Sequence, residues 1–405
     1  MINFLIINRF SIMFNPHVIN DVEEKMQKIG VSKDGIEIMK KKGKFYAIKL
    51  ENLPLKGALL LKQEALAAGM ECSLPWCAAT LKCEKVPAIL FGTRREFEIL
   101  IEKMKMQPFK GKNMAEEILK TLRNYEKDEF LISARDFKIK VPPVRLMGIL
   151  NVTPDSFSDG GKYFSVDAAV SRARRMVEEG ADIIDIGGES SRPFSSPISE
   201  EEELHRVIPV LENLDDLKIP ISVDTYKPRV AEEALKRGAS IINDIFALRK
   251  DGMAEVIRDY DAAVVIMHMK GEPKNMQVNP IYENTVSEII RFLRERINFA
   301  KSKGIEEDKI IIDPGIGFGK RVEDNLVILK DLNSFRSLGY PILIGTSRKS
   351  FIGKILDVDS DQRLEGTIAT NIIAIMNGAG ILRVHDVKEH LRAIKIAEEI
   401  MKVKL

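Results

Sequence analysis

The chain has 405 residues, of which 45% are hydrophobic and 30% charged, as in a globular protein long enough for two domains. Its 62 basic and 60 acidic residues give a net charge of +2, which excludes a strongly basic surface for nucleic acid. No apolar run approaches the roughly 18 residues needed to span a bilayer, and no secretory cleavage pattern follows the N-terminal apolar segment. We therefore expect a cytoplasmic protein that binds neither nucleic acid nor membrane.

Residues 1–135 predict a small α/β domain. Apolar stretches at Gly43–Leu50 and Gly57–Leu61 alternate with helical patterns at Phe97–Met106 and Met114–Tyr125, which indicates short strands and helices in mixed order. The charged segment that follows closes with two prolines, so we interpret residues 136–143 as an extended linker. No chemistry is readable in this domain. It could support oligomerisation, cover the bottom of the next domain, or recognise an elongated substrate.

Three cysteines lie within a dozen residues of one another in this first domain. Cys72, Cys77 and Cys83 have the spacing C-x4-C-x5-C, which matches no common zinc pattern, and no histidine is near them. We interpret them as ordinary thiols rather than a metal or redox site.

Residues 144–405 predict a (β/α)8 barrel. Eight short apolar runs recur, each followed by enough chain for a helix, as at Val166–Glu179, Pro228–Arg237 and Ile368–Met376. Continuous apolar runs are what parallel strands buried on both faces require, and eight repeats over this length are typical of a TIM barrel. A doubly wound sheet would carry a glycine fingerprint after its first strand, and none is present. The predicted strands are Arg145–Leu150, Asp182–Ile186, Pro220–Val223, Ser240–Ile242, Ala262–Met267, Lys309–Ile312, Pro341–Ile344 and Ile381–Val384.

Every predicted strand is followed by polar or ionisable side chains, and in this fold the strand ends carry the chemistry. One group of these residues suits a planar, nitrogen-rich ring, because a carboxylate accepts from an amino-pyrimidinone edge and an amide both donates and accepts. Its members are Asp224, Asn243, Asp313 and Lys349. A second group suits anionic oxygens and a hydrated Mg²⁺ ion. Its members are Asn151, Arg192, Ser347, Arg383 and His385.

Structural explanations exist for single residues of this set and its neighbours. Asp224 could cap the next helix, His268 could be a satisfied buried imidazole, and Glu189 and Asp155 could order their loops. The segment that ends in Gly-Phe-Gly-Lys320 is only superficially like a phosphate-binding loop, because it lacks the Walker spacing.

The strings at the strand ends resemble dihydropteroate synthases, in order along the whole of residues 144–405. They are GILNVTPDSFSDGG (148–161), DIGGESSRP (185–193), SVDTYKP (222–228), INDI (242–245), HMKGEPKNMQ (268–277), DPGIGFGK (313–320), GTSRKSFIG (345–353) and RVHDV (383–387).

The resemblance implies a role for each matching residue. The pterin ring would be held by Asp224, Asn243, Asp313 and Lys349, lined by Met267 and Phe318, and approached by Gly345. Pyrophosphate and Mg²⁺ would be bound by Asn151, Arg383 and His385, with Asn151 as the metal ligand and Ser347 beside them. The arylamine would meet Ser191 and Arg192. Asp224, Lys349 and Arg383 would be the catalytic residues. We also expect a homodimer.

The loop after the second strand departs from the family pattern. It reads Arg192-Pro-Phe194 where the family usually has a glycine, beside the predicted arylamine site. The acceptor could therefore be p-aminobenzoate, or a ribosylated arylamine phosphate as in methanopterin synthesis. A pterin-dependent methyltransferase on a related barrel is a third hypothesis. The anion-binding pair of Arg383 and His385 disfavours it, because such an enzyme binds no pyrophosphate.

Overall fold

The computed structural model describes residue 19 and residues 22–153, 166–190 and 195–403. The described residues divide into two compact units, the first comprising those up to Leu119 with Val403, the second extending from Lys120 to Lys402. The division therefore precedes the boundary predicted at residue 135. In the part of the chain described here, no helix has the length and hydropathy needed to cross a bilayer.

The first unit contains a three-stranded antiparallel sheet with the strand order β1-β3-β2. Its elements are α1 (Val22–Lys28), α2 (Lys33–Gly43), β1 (Phe45–Pro54), α3 (Leu55–Ala67), β2 (Glu71–Ser73), α4 (Trp76–Ala79), β3 (Lys85–Thr93) and α5 (Arg94–Lys105), and α6 (Gly111–Tyr125) spans the division. The two predicted helical patterns are confirmed in α5 and α6. The apolar run Gly57–Leu61 was wrongly assigned to a strand, because it forms part of α3, where leucine, alanine and lysine favour a helix.

Residues 130–141 form a hairpin rather than the predicted linker. The strands β4 (Phe130–Ala134) and β5 (Phe137–Val141) pair antiparallel around Arg135, which has a φ of 53°. Ile132 and Val141 are buried against the first residues of several barrel strands, such as Ile183. The hairpin closes the amino-terminal end of the barrel, so apolar contact, not the nearby prolines, determines its structure.

The second unit contains a closed barrel of eight parallel strands, which confirms the predicted fold. The order around the barrel is β10-β11-β12-β13-β6-β7-β8-β9. The strands are β6 (Arg145–Asn151), β7 (Ile183–Gly187), β8 (Ile221–Asp224), β9 (Ile241–Asp244), β10 (Ala263–Met267), β11 (Ile310–Asp313), β12 (Ile342–Ile344) and β13 (Ala379–Val384). The helices are α7 (Val166–Glu179), α8 (Glu200–Glu212), α9 (Pro228–Lys236), α10 (Met253–Asp259), α11 (Thr285–Ser302), α12 (Val322–Lys330), α13 (Ser350–Leu356), α14 (Leu364–Met376) and α15 (Val387–Lys402).

Alternate residues of each strand face the barrel interior or the surrounding helices. In β9, Ile241 belongs to the interior cluster closed by the hairpin, whereas Ile242 packs in the larger cluster between strands and helices. Gly180 and Gly238, which follow α7 and α9, have φ values of 103° and 101°, as expected of residues that end helices. This arrangement brings all eight carboxyl ends to one mouth of the barrel.

Candidate active site at the carboxyl ends of the barrel strands

Arg383 lies at the centre of the polar residues in the barrel mouth. Its guanidinium donates through Nε to Asp185 Oδ2 at 2.6 Å and through Nη2 to Asp224 Oδ2 at 2.8 Å. Asn243 Nδ2 donates to the same oxygen of Asp185 at 3.1 Å. Burial raises the pKa of Asp224, and the positive charge of Arg383 opposes that rise. The structure therefore brings together three of the predicted residues, on β8, β9 and β13, around one cation.

The predicted ring-binding residues continue on the next strands. Asp313 is buried at the end of β11, and its Oδ1 accepts from the backbone N–H of Gly315 at 2.7 Å. Burial raises the pKa of Asp313 to about 6, although this hydrogen bond opposes the rise. Burial and the positive charge of Arg383 together lower the pKa of Lys349 to about 8. The carboxylates of Asp313 and Asp224 oppose this shift. A carboxylate and an ammonium thus face the same pocket near neutral pH.

Apolar side chains enclose this pocket. Phe318 and Met267 belong to a buried cluster at the barrel mouth that also contains Phe246, and Tyr226 packs against it. The Nζ atom of Lys349 lies 4.2 Å from the centroid of the Phe318 ring. The polar groups of Asp313 and Lys349 therefore lie largely shielded from water, where hydrogen bonds are stronger than in bulk solvent.

Gly345 lies beside Arg383. A Cβ atom built there would make only ordinary contacts, with atoms of Arg383 at 3.7 Å and beyond. No protein atom of the described residues therefore requires a glycine at this position.

Three of the predicted anion-binding residues, Ser347, His385 and Asn151, lie together beside Arg383. Ser347 Oγ and His385 Nδ1 are 2.9 Å apart, and Ser347 Oγ also accepts from the backbone N–H of His385 at 3.2 Å. Asn151 Nδ2 lies 3.5 Å from His385 Nε2. Burial lowers the pKa of His385 to about 3, and Arg383 adds to this effect, so the imidazole is neutral. Arg383 supplies the positive charge and its neighbours supply neutral hydrogen-bonding groups.

Asn151 is compatible with the Mg²⁺ ion that the family implies. No group of three His, Cys, Asp or Glu residues that could hold a metal occurs among the described residues. Mg²⁺ is, however, commonly bound through one or two protein oxygens with substrate phosphate and water as the other ligands. Because the Asn151 amide nitrogen faces His385, its oxygen is available for such a role.

Ser191, Arg192 and Phe194 lie outside the described residues, as does Asp155. The residues that flank 191–194 are nevertheless well defined. Lys227 Nζ donates to Glu189 Oε2 at 2.5 Å, to Glu203 Oε2 at 2.6 Å and to the Ile198 carbonyl at 2.8 Å. Burial raises the pKa of Glu203, and Lys227 opposes the rise. Glu189 is thus held by Lys227, which also binds the Ile198 carbonyl, so its described contacts are structural ones.

Two residues of this region were missed by sequence reasoning. Asp185 is fully buried and holds Arg383, and a charged residue inside an otherwise apolar strand was the available signal. Lys320 is buried beside His268, with Nζ 2.9 Å from Nδ1. It was set aside with the phosphate-loop pattern, and nothing in that pattern indicated a buried lysine. His268 itself is a satisfied buried imidazole.

Comparison with known proteins agrees with this geometry. The family described as pterin binding enzyme matches residues 147–385. A dihydropteroate synthase from Clostridium beijerinckii is 48% identical over 260 residues, which cover 64% of this chain and 94% of that protein. The solved structure of the Xanthomonas albilineans dihydropteroate synthase with 4-aminobenzoic acid is 43% identical, with a TM-score of 0.65, and covers 68% of this chain and all of that one.

A further relative extends beyond the barrel. The probable bifunctional folylpolyglutamate synthase/dihydropteroate synthase of Halobacterium salinarum is 37% identical over 380 residues, 94% of this chain and 46% of that protein. The match therefore includes much of the first unit.

The fold and the polar set at its mouth define a pterin-binding transferase built on a (β/α)8 barrel. Within that class, the chain belongs to the dihydropteroate synthase family.

Proposed function

We propose that this chain condenses 6-hydroxymethyl-7,8-dihydropterin pyrophosphate with p-aminobenzoate and releases pyrophosphate. The observation that carries the proposal is that Arg383 donates to Asp224 of the predicted ring-binding group and lies two residues from His385 of the predicted anion-binding group. The first group suits a pterin ring, and Ser347 and His385 suit a diphosphate.

The ring would be held edge-on by hydrogen bonds. Asp313 accepts from the amino-pyrimidinone edge, Lys349 donates to the ring oxygen or nitrogen, and Asn243 can do both. Met267 and Phe318, which belong to one buried cluster at the barrel mouth, would line the faces of the ring. Burial of these polar groups favours a ligand that satisfies all of them, because an unsatisfied buried group costs about 1–3 kcal/mol.

The reaction proposed is a dissociative displacement at the pterin methylene carbon. The C–O bond breaks and pyrophosphate leaves with the electron pair, while Arg383 and the neutral His385 stabilise the developing negative charge. The electron-rich dihydropterin and the carboxylate of Asp224 stabilise the methylene cation. The amine nitrogen then bonds to this carbon and loses a proton. When bound at Asn151, Mg²⁺ would supply additional charge neutralisation for the phosphate oxygens.

The acceptor is proposed to be p-aminobenzoate because the relatives are named dihydropteroate synthase and one solved relative holds 4-aminobenzoic acid. The ribosylated arylamine phosphate is tested as a competing acceptor. Equal concentrations of both amines are offered with the pterin pyrophosphate, and the products are separated by chromatography. The pteroate product should predominate, and predominance of the ribosylated product would contradict the proposed acceptor.

We also propose that the protein is a homodimer that functions in the cytoplasm. Apolar side chains are exposed on the neighbouring helices α12 and α14, namely Leu326, Val327, Ile373 and Met376. Contiguous exposed apolar surface is typical of an interface. Light scattering of the wild-type protein should give the dimer mass, and Ile373→Glu should give the monomer mass.

A further inference from the structure

Lys320 is buried at the end of the loop that connects β11 to α12. Its side chain contacts three acceptors. Nζ lies 2.9 Å from His268 Nδ1, 3.0 Å from the carbonyl of Phe318 and 3.3 Å from the carbonyl of His268. Burial lowers the pKa of Lys320 to about 7, and in the protonated form its three N–H groups match these three acceptors. Burial keeps the pKa of His268 well below its usual range, so the imidazole is a neutral acceptor.

The acceptors belong to two different loops. Each loop contains or directly follows one of the two apolar residues, Phe318 and Met267, that are predicted to line the pterin ring. Met267 directly precedes His268 at the end of β10, and Phe318 supplies its own carbonyl to Lys320. The rings of Phe292 and Tyr282 pack around the His268 imidazole, at 4.9 Å and 6.1 Å between centroids. His268 therefore has little freedom to move independently of the residues around it.

The backbones of the two loops approach each other closely where Lys320 contacts them. A Cβ atom on Gly315 would lie 1.9 Å from the His268 carbonyl, so only a glycine allows the approach. Tyr282 donates from its hydroxyl to the Gly319 carbonyl at 2.7 Å. Inside such packing the carbonyls of His268 and Phe318 cannot reach water, and they need an internal donor. Lys320 provides it.

We propose that Lys320 is a positioning residue that fixes the separation of Met267 and Phe318, the apolar walls of the pterin pocket, through His268. The inference rests on the proposed function, because it assigns the gap between these walls to the pterin ring. Lys320 is 3% exposed, and its Nζ contacts are to Phe318 and His268. Its charge also lowers the pKa of Asp313, which burial raises, so the double variant with Phe318→Leu is needed to isolate the effect that Lys320 exerts through the Phe318 wall.

The first experiment compares Lys320→Met with Lys330→Met, which makes the same change at an exposed position of α12. Steady-state kinetics are measured with each substrate varied in turn. Lys320→Met should raise the KM for the pterin substrate about 10-fold, the equivalent of one hydrogen bond, and change the KM for the arylamine by less than about 2-fold. Lys330→Met should match the wild type. Unchanged pterin KM in Lys320→Met, or an equal rise for both substrates, would overturn the inference.

A double-mutant cycle separates positioning from general destabilisation. Phe318→Leu should itself weaken pterin binding, because the aromatic side chain that is proposed to line the pterin ring is lost. If Lys320 acts through that wall, Lys320→Met should add less than about 2-fold to the pterin KM of Phe318→Leu. Independent effects that multiply in the double variant would contradict the inference.

A less disruptive variant is used if the thermal unfolding transition shows that Lys320→Met does not fold. His268→Phe keeps the ring packing on Phe292 and removes only the Nδ1 acceptor. It should raise the pterin KM about 3-fold, since one of three contacts is lost. A wild-type KM in folded His268→Phe would then overturn the inference.

Failure of the proposed function gives a different result. In that case the wild type itself shows no turnover, and calorimetric binding of dihydropterin pyrophosphate to the wild type and Lys320→Met tests the positioning role alone. Equal affinities of the two proteins would overturn it.

Discussion

Asp185 is the residue on which the position of Arg383 depends most directly. It is 0% exposed, and its Oδ2 atom accepts from Arg383 at 2.6 Å and from Asn243 at 3.1 Å. A charged hydrogen bond of this kind is about twice as strong as a neutral one. Asp185 therefore orients the cation that both subsites share, although it was not among the residues predicted for the site.

Replacement of this carboxylate should impair catalysis without removing any residue that contacts the substrates. We expect Asp185→Asn to lower kcat/KM by roughly 10- to 100-fold, because an amide attracts the guanidinium less strongly. Initial rates of pyrophosphate release measure the effect. Asp182→Asn is the matched control, since Asp182 pairs with Arg145 at 2.9 Å at the opposite end of the barrel. Wild-type kinetics for Asp185→Asn would contradict the role given to it.

The pH dependence of pterin binding follows from Asp313 and Lys349. Asp313 must be ionised to accept two hydrogen bonds, so affinity should fall as the pH drops below its pKa of about 6. Lys349 must be protonated to donate, so affinity should also fall as the pH rises above its pKa of about 8. Calorimetric titrations across this range should give a maximum between the two values. Lys349→Arg should move the upper limit to higher pH, because arginine keeps its charge, whereas an unmoved limit would assign it to another group.

The β7–α8 segment contains Ser191 and Arg192, the residues predicted to meet the arylamine. Lys227, on the β8–α9 connection, joins Glu189 at one end of this segment to the Ile198 carbonyl near the other. Both carboxylates that it contacts, Glu189 and Glu203, have side chains at most 11% exposed. The buried ammonium of Lys227 therefore joins Glu189 and Ile198, which lie on either side of residues 191–194 in the sequence.

Removal of the cation should be costly, because two buried carboxylates would lose their partner. Lys227→Met should lower the free energy of unfolding by about 3–5 kcal/mol. Urea denaturation of Lys227→Met is compared with that of Lys236→Met, in which the replaced lysine pairs with glutamates on the exposed face of α9. Equal stability of the two variants would mean that the buried ion pairs contribute no more than the surface ones.

Most elements of the barrel could be predicted from the sequence, for a definite physical reason. Strands buried on both faces must be continuously apolar, and all eight predicted runs coincide with strands to within two residues at each end. The residues predicted to bind the ring, such as Asp313, were chosen because strand ends carry the chemistry in this fold, and the structure places Asp313 at the end of β11. In contrast, the apolar run Gly57–Leu61 was too short to distinguish a strand from a buried helix segment.

At the scale of the whole molecule, the hairpin of β4 and β5 belongs with the barrel. The sequence could not show this, because Pro142 and Pro143 and the charged residues before them are equally typical of a linker. Only the folded barrel provides the apolar surface that buries Ile132 and Val141. Contacts between residues distant in sequence decided the structure of this segment.

Two shortened chains test that assignment. A chain beginning at Lys120 keeps the hairpin, whereas one beginning at Val144 lacks Ile132, Ile139 and Val141, all of them buried. Loss of these three side chains should cost on the order of 5 kcal/mol. The chain from Val144 should therefore unfold at a clearly lower denaturant concentration than the chain from Lys120. Equal midpoints would show that the hairpin does not contribute to the stability of the barrel.

The central proposal is that Arg383 joins a pterin subsite to a diphosphate subsite in one barrel mouth. The most direct measurement is mass spectrometry of the products formed from dihydropterin pyrophosphate, p-aminobenzoate and Mg²⁺, for the wild type and Lys349→Ala. We expect the wild type to form 7,8-dihydropteroate with one pyrophosphate released per product. Lys349→Ala, with an unchanged unfolding transition, should form neither. Absence of 7,8-dihydropteroate from the wild-type reaction, or undiminished product from Lys349→Ala, would contradict the account.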